Sequence, residues 1–163
     1  MKLSMFFIGL IISFEIFANN IIVNGTRFIY TENEKEITIS MNNTADRPAL
    51  AQVWLDNGDS KQTPEMIKTP FQITPPVSRL EEKGGQVLRI KLTDTNGIPK
   101  DKESLWWLNI LDIPPAIKSS KTSVDNSLQL AIRSRFKFIY RPEGLGNPEL
   151  VMEQIKIKSD KKM

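Results

Sequence analysis

The amino-acid sequence predicts an all-β fold. Short stretches in which apolar and polar residues alternate recur along the chain, and such alternation places the apolar side chains on one face of a pleated strand. Glycine, asparagine, aspartate and proline separate these stretches, and no segment convincingly shows the apolar spacing of a helix. Together these observations favour a β-sandwich of immunoglobulin type with about seven strands, and a β-barrel is the alternative.

The longest alternating stretch covers residues 128–142. Its odd-numbered positions carry all of its charged residues, and its even-numbered positions are apolar except for Ser134 as far as Tyr140, namely Leu128, Leu130, Ile132, Phe136, Phe138 and Tyr140. This pattern predicts one long strand with a solvated face. Because a long apolar-faced strand at a sheet edge promotes aggregation, we expect either the sheet or a partner to cover it.

The remaining strands are predicted in chain order, beginning with residues 21–30, where Asn24-Gly25 indicates a turn or bulge. The second strand covers residues 36–41. The third covers residues 49–55 and is apolar on both faces except at Gln52, which suits a strand inside a sandwich. Residues 56–59 then form a turn.

The second half of the predicted domain opens with a proline-marked segment, residues 71–80. Pro75 and Pro76 cannot donate hydrogen bonds to a neighbouring strand, so this segment belongs at an edge or corner. Strands at residues 86–92 and 104–113 follow, and Pro114-Pro115 ends the latter. Residues 116–126 lack periodicity and are predicted to form a surface loop before the long strand.

Composition excludes several classes of function. The chain has 163 residues, of which 40% are hydrophobic and 25% charged, and it carries a formal net charge of +3. The basic residues are scattered, so no nucleic-acid partner is expected. Without cysteine or histidine, the chain has no disulfides, thiol nucleophiles or imidazole-based catalytic sites, and no metal or cofactor is expected. Its carboxylates in turn-like segments lack a nearby nucleophile, so an enzyme is not expected; these are Asp56, Asp59, Glu81 and Glu82.

The two ends of the chain are predicted to lie outside the sandwich. Residues 1–18 combine the positive charge of Lys2, an apolar run and a small residue, Ala18, which together are typical of a cleaved signal peptide. A membrane anchor is the alternative, but the run is shorter than a bilayer span and stable membrane insertion is not expected. Residues 143–163 are predicted to be a linker and the truncated start of a second domain.

Four motifs occur together in a specific order. They are Thr26-Arg27-Phe28-Ile29-Tyr30, Thr74-Pro75-Pro76-Val77-Ser78-Arg79-Leu80, Glu103-Ser104-Leu105-Trp106-Trp107-Leu108-Asn109 leading to Ile113-Pro114-Pro115, and Phe136-Lys137-Phe138-Ile139-Tyr140-Arg141-Pro142. In this combination the chain resembles the periplasmic chaperones of pilus and fimbria assembly. Members of that family have two immunoglobulin-like domains, and the resemblance identifies residues 19–142 as the first of them.

The resemblance implies a mechanism of subunit capture in the periplasm. In this family a pilin subunit has an immunoglobulin fold without its last strand, and the chaperone fills the open groove with an edge strand before delivery to an outer-membrane usher. Main-chain hydrogen bonds then give affinity, and alternate side chains enter pockets of the subunit. The side chains that match the donated row are Leu128, Leu130 and Ile132. Self-association through the same exposed strand is a further expectation.

The resemblance also implies roles for two pairs of charged residues. Arg27 and Lys137 match the basic pair that binds the C-terminal carboxylate of the subunit, although periodicity alone would make Lys137 an ordinary solvated strand lysine. Glu103 and Arg141 match a charged pair that helps to set the angle between the two domains. The alternative for this second pair is a surface ion pair of about 0 to 1 kcal/mol.

Other interpretations stay open at this point. The chain could be a structural pilin-like or adhesin domain, in which the last strand pairs within its own fold or with a neighbouring subunit. It could also be a truncated chaperone without function. The loop at residues 116–126 is longer than in the short-loop members of the family, yet the chain lacks the cysteine pair of the long-loop members, so the subclass is undecided. Trp54, Trp106 and Trp107 are predicted to pack rather than to bind a ligand.

Overall fold

The computed structural model describes residues 21–115 and 129–146, which form nine strands in two β-sheets. The strands are β1 (Ile21–Val23), β2 (Arg27–Thr31), β3 (Ile37–Asn43), β4 (Ala49–Asp56), β5 (Phe71–Thr74), β6 (Val77–Leu80), β7 (Gly85–Leu92), β8 (Ser104–Ile113) and β9 (Ile132–Arg141). Within these two segments, one 3-10 turn lies at Pro64–Met66. Several predicted features lie outside the described residues: the predicted signal peptide at residues 1–18, the predicted loop at residues 116–126, Leu128 of the donated row, and residues 147–163.

The two sheets form a β-sandwich, which confirms the predicted fold class. One sheet has four strands in the order β1-β3-β7-β5, and the other has five in the order β2-β9-β8-β4-β6. Neighbouring strands are antiparallel except for β2 and β9, which are parallel. The core between the sheets is apolar and contains the even-numbered β9 side chains Phe138 and Tyr140, as the alternation predicts.

The number of strands exceeds the predicted seven because two segments each divide between the sheets. The predicted strand at residues 21–30 divides at Asn24-Gly25: β1 pairs with β3, whereas β2 crosses to β9. The predicted segment at residues 71–80 divides at Pro75-Pro76, and β5 and β6 become edge strands of opposite sheets. Proline cannot donate at this corner, but the Pro76 carbonyl accepts the Val53 N–H at 2.8 Å.

Strand β9 begins at Ile132, later than the predicted start at Leu128. The antiparallel pairing of β8 with β9 extends only to Asp112 opposite Ile132. Beyond Ile113, strand β8 runs into Pro114 and Pro115, which lack N–H groups and cannot extend the pairing. Residues 129–131 therefore precede the strand, and 66% of the surface of Leu130 is exposed.

The hydroxyl group of Tyr30 connects the turn after β2 to the end of β7. It donates to the Glu34 carbonyl at 2.9 Å and accepts the Leu92 N–H at 3.3 Å. We expect Tyr30→Phe to lower the free energy of unfolding by about 0.5 to 1.5 kcal/mol, because these part-buried backbone groups lose their partner. Urea unfolding measures this change, and an unchanged midpoint would contradict it.

Candidate functional site

Strand β9 has a neighbouring strand along one edge, but along only half of its other edge. On one side, β8 pairs with it from Ile132 to Tyr140. On the other side, β2 pairs only with the half from Lys137 to Arg141. Within the described ranges, residues 132–136 therefore have a neighbouring strand on one side alone, and we call this segment the free edge. Its outward backbone N–H and C=O groups can pair with a strand from another chain.

The apolar side chains of β9 continue from the core to the free edge. Phe138 is fully buried, Phe136 is partly buried, and Ile132 is half-buried at the start of the strand. Phe136 packs against Phe28 with ring centroids 6.1 Å apart. The exposed fraction of these side chains therefore rises from Phe138 back toward Leu130, which is the most exposed side chain of this row in the described part of the chain.

The two predicted anchor residues lie side by side where the free edge ends. Arg27 and Lys137 are directly paired in the register of β2 with β9, and both are exposed. Neither forms an ion pair with any residue of segments 21–115 and 129–146. Two neighbouring cations without an acidic partner form a site that suits a carboxylate, through charge-assisted hydrogen bonds.

The second predicted pair, Glu103 and Arg141, is in direct contact. A guanidinium N–H of Arg141 donates to the Glu103 carboxylate, and another donates to the Leu145 carbonyl at 2.8 Å. The N–H of Glu143 donates to the Glu32 carboxylate at 2.8 Å. These contacts hold the segment that follows β9 against the end of the sandwich.

Sequence reasoning missed a buried polar cluster on the outer face of the five-stranded sheet. The sequence predicts that Asp56 lies in a turn at residues 56–59, yet it ends β4 and is fully buried. Its carboxylate accepts hydrogen bonds from the Gly58 N–H at 2.7 Å and from the Asn109 amide at 2.7 Å. Gly58 has a φ of 111°, a conformation that few other residues adopt, and the turn it forms brings its N–H to Asp56.

Two arginines of β9 complete this cluster. Arg135 donates to both carboxylate oxygens of Asp56, at 2.9 and 3.1 Å, and Arg133 contacts Asp56 at 3.3 Å. Arg133 also donates to the side-chain amide oxygen of Asn109 at 2.7 Å and to the backbone carbonyl of Ser60 at 2.9 Å. The only sequence signal was the pair of arginines two positions apart on the polar face of the strand.

The tryptophans of this sheet pack against the arginines and the core. The guanidinium of Arg133 lies 5.0 Å from the Trp54 ring centroid, and that of Arg135 lies 4.8 Å from the Trp107 ring centroid. Both distances are within the range of cation–π attraction. Trp106 instead packs edge-on against Phe71, with ring centroids 5.7 Å apart.

The described segments contain no helix that is long and apolar enough to cross a membrane. In the same segments, no group of three or more acidic side chains is arranged to hold a metal ion.

Comparison with protein families gives one family match. The model described as pili and flagellar-assembly chaperone, PapD N-terminal domain, matches residues 20–146. Among curated proteins, the chain is 60% identical over 160 residues to the chaperone protein MrkB of Klebsiella pneumoniae, covering 98% of this chain and 69% of that protein. It is 43% identical over 130 residues to the probable fimbrial chaperone YadV of Escherichia coli K12, covering 79% of this chain and 53% of YadV.

Solved structures give the same result for the fold. The CupB2 chaperone of Pseudomonas aeruginosa matches with a TM-score of 0.69 and 38% identity, over 83% of this chain and 62% of that one. The SafB chaperone of Salmonella enterica, solved in complex with the SafA pilin, matches with a TM-score of 0.70 and 29% identity, over 85% and 63% of the two chains. This chain thus spans less than two thirds of either structure.

Proposed function

We propose that this chain, which belongs to the pili and flagellar-assembly chaperones and contains their PapD N-terminal domain, captures pilin or fimbrial subunits. Capture takes place along the free edge of β9. The half-covered strand is the observation that carries this proposal. A subunit strand that pairs with residues 132–136 satisfies their outward backbone groups. The solved complex of the related SafB chaperone with a pilin is consistent with such a partner.

The apolar row supplies the side-chain part of the interaction. Leu130 and Ile132, together with Leu128, enter the open groove of the subunit and replace its missing strand. Burying each such side chain contributes roughly 1.5 to 3 kcal/mol before the ordering costs of association are subtracted. The 66% exposure of Leu130 supports this role, because most of its surface is available to a partner.

The basic pair gives the added strand its direction. Strand β9 runs from the free edge toward Lys137, where Arg27 is its neighbour. A subunit strand that ends at this pair with its terminal carboxylate, and whose preceding residues lie along residues 132–136, must run parallel to β9. Fixing the carboxylate also fixes the register of the added strand, which main-chain hydrogen bonds alone leave open.

The same proposal includes the cellular setting. The predicted signal peptide at residues 1–18 exports the chain to the periplasm, where it passes the captured subunit to an outer-membrane usher. No catalytic step is involved, since strand addition forms only non-covalent contacts. Glu103 and Arg141 hold the segment after β9 and thereby orient whatever follows Pro142.

Co-purification tests the proposal. The chain is expressed in the periplasm with a pilin encoded beside its gene, and we expect a soluble complex with one copy of each protein. A pilin lacking its last residues serves as the matched control and should not be retained. A folded, soluble chain that retains neither pilin would overturn the capture proposal. A structural pilin-like domain has no need of a carboxylate anchor, so equal retention of both pilins would favour that alternative.

A further inference from the structure

We infer that Asp56 is a positioning residue that holds the free edge of β9 in the register needed for subunit capture. This inference rests on the proposed function above. The side chain of Asp56 touches no part of the free edge's apolar row, and it acts through the two arginines that alternate with that row.

Because Asp56 is buried, its carboxylate requires its hydrogen-bond and charge partners to stay in their observed positions. A buried carboxylate is costly unless hydrogen bonds and opposite charges compensate for its lost hydration. Here a backbone N–H, an amide and two guanidinium groups converge on its two oxygens. A displacement of β9 along β8 removes at least one of these arginines from its place and leaves the buried anion with fewer charge partners.

The cluster connects β4 to β9 at the segment of β9 that is paired on one side only. Strands β9 and β4 lie on opposite sides of β8, so their backbones are about 10 Å apart. Arg133 and Arg135 both lie in residues 132–136, where no described strand flanks β9 on its second side. Such a half-paired segment frays more readily than the half covered by β2. Residues 129–131, immediately before it, already lie outside the strand.

Apolar alternation alone does not select one register here. Side chains alternate with a period of two, so shifting β9 by two residues along β8 leaves its apolar side chains facing the core. The same shift moves each arginine by about 7 Å, so one arginine takes the place of the other, the vacated place receives Ala131 or Lys137, and Asp56 keeps only one guanidinium partner. The contacts of the Asp56 carboxylate therefore favour the observed register of β9 over a register shifted by two residues, which the hydrophobic pattern at the free edge permits equally. Register in turn sets which residue of β9 lies beside Arg27 of β2, and in the observed register that residue is Lys137.

Hydrogen exchange and subunit capture together test the inference. Asp56→Asn removes the charge with little change of shape. We expect amide exchange in residues 132–136 to become at least about tenfold faster relative to strands β3 and β7. We also expect the affinity for the co-expressed pilin to fall about tenfold or more. Arg133→Gln, a milder variant, should change both quantities in the same direction if Asp56→Asn does not fold.

Two controls separate positioning from loss of stability or of charge. Glu36→Gln removes one carboxylate from the exposed pair with Arg89 in the other sheet. Ile39→Val or Ile39→Ala, whichever matches the Tm of the Asp56 variant, weakens the core. Neither variant should accelerate exchange selectively at residues 132–136 or reduce capture more than about twofold. Uniform exchange in Asp56→Asn, or equal loss of capture in the matched core variant, would overturn the inference. Failure of the unmodified chain to capture pilin would instead overturn the proposed function and, with it, the role of Asp56 in capture.

Discussion

Lys137→Ala is expected to abolish subunit capture while leaving the thermal unfolding of the chain almost unchanged. Lys137 is exposed and has no acidic partner in the described segments, so the folded chain loses little when the charge is removed. A carboxylate held against it loses a charge-assisted hydrogen bond in a partly shielded site. Truncating one member of such a pair costs about 2 to 5 kcal/mol, which corresponds to roughly 30-fold or more in Kd.

Arg27→Ala should reproduce this result, because Arg27 lies opposite Lys137 in the register. Lys91→Ala is the matched control: it removes an exposed strand lysine from the other sheet. Capture can be measured by titration with purified pilin and stability by thermal melting. A Tm that falls in proportion to the lost affinity would assign Lys137 a structural role. Unaltered capture by both alanine variants would show that the carboxylate binds elsewhere.

Leu130→Glu is expected to block capture as completely as removal of the anchor. In the free chain Leu130 lies before β9 and is largely exposed, so a glutamate there is solvated and harmless. In the complex it would enter an apolar groove, where an unpaired carboxylate loses its hydration. The lost apolar burial and this desolvation together should exceed about 3 kcal/mol, or more than about 100-fold in Kd.

Val87→Glu provides the comparison for Leu130→Glu. Val87 is an exposed apolar residue in β7, on the sheet that does not contain the free edge. The Val87→Glu variant should bind the pilin with an affinity within about twofold of that of the unmodified chain. If both glutamate variants lose capture equally, the effect arises from the added negative charge irrespective of its position and not from the donated row. Leu130→Met should bind nearly as well as leucine, since the two side chains are similar in volume.

Much of the sandwich could be predicted because its signals are local. Alternation at Phe136, Phe138 and Tyr140 indicates which face of β9 enters the core, and the structure confirms that face. Proline at positions 75 and 76 indicates a corner, and the chain does change sheets there. The resemblance to assembly chaperones is confirmed by the family match. The roles of Arg27, Lys137, Glu103 and Arg141 stay predictions, although the structure brings each pair together.

Local patterns in the sequence are enough to locate most of the strand-forming segments, their buried faces and the family, because side-chain periodicity and turn residues act over a few neighbouring positions. By contrast, the tertiary structure alone decided that β2 covers one half of β9 and leaves the other half free. It also decided that Asp56, within an ordinary turn signal, is buried by arginines 77 and 79 residues later in the chain. Pairing between distant strands depends on which backbones meet in space, and no local pattern of residues specifies that meeting.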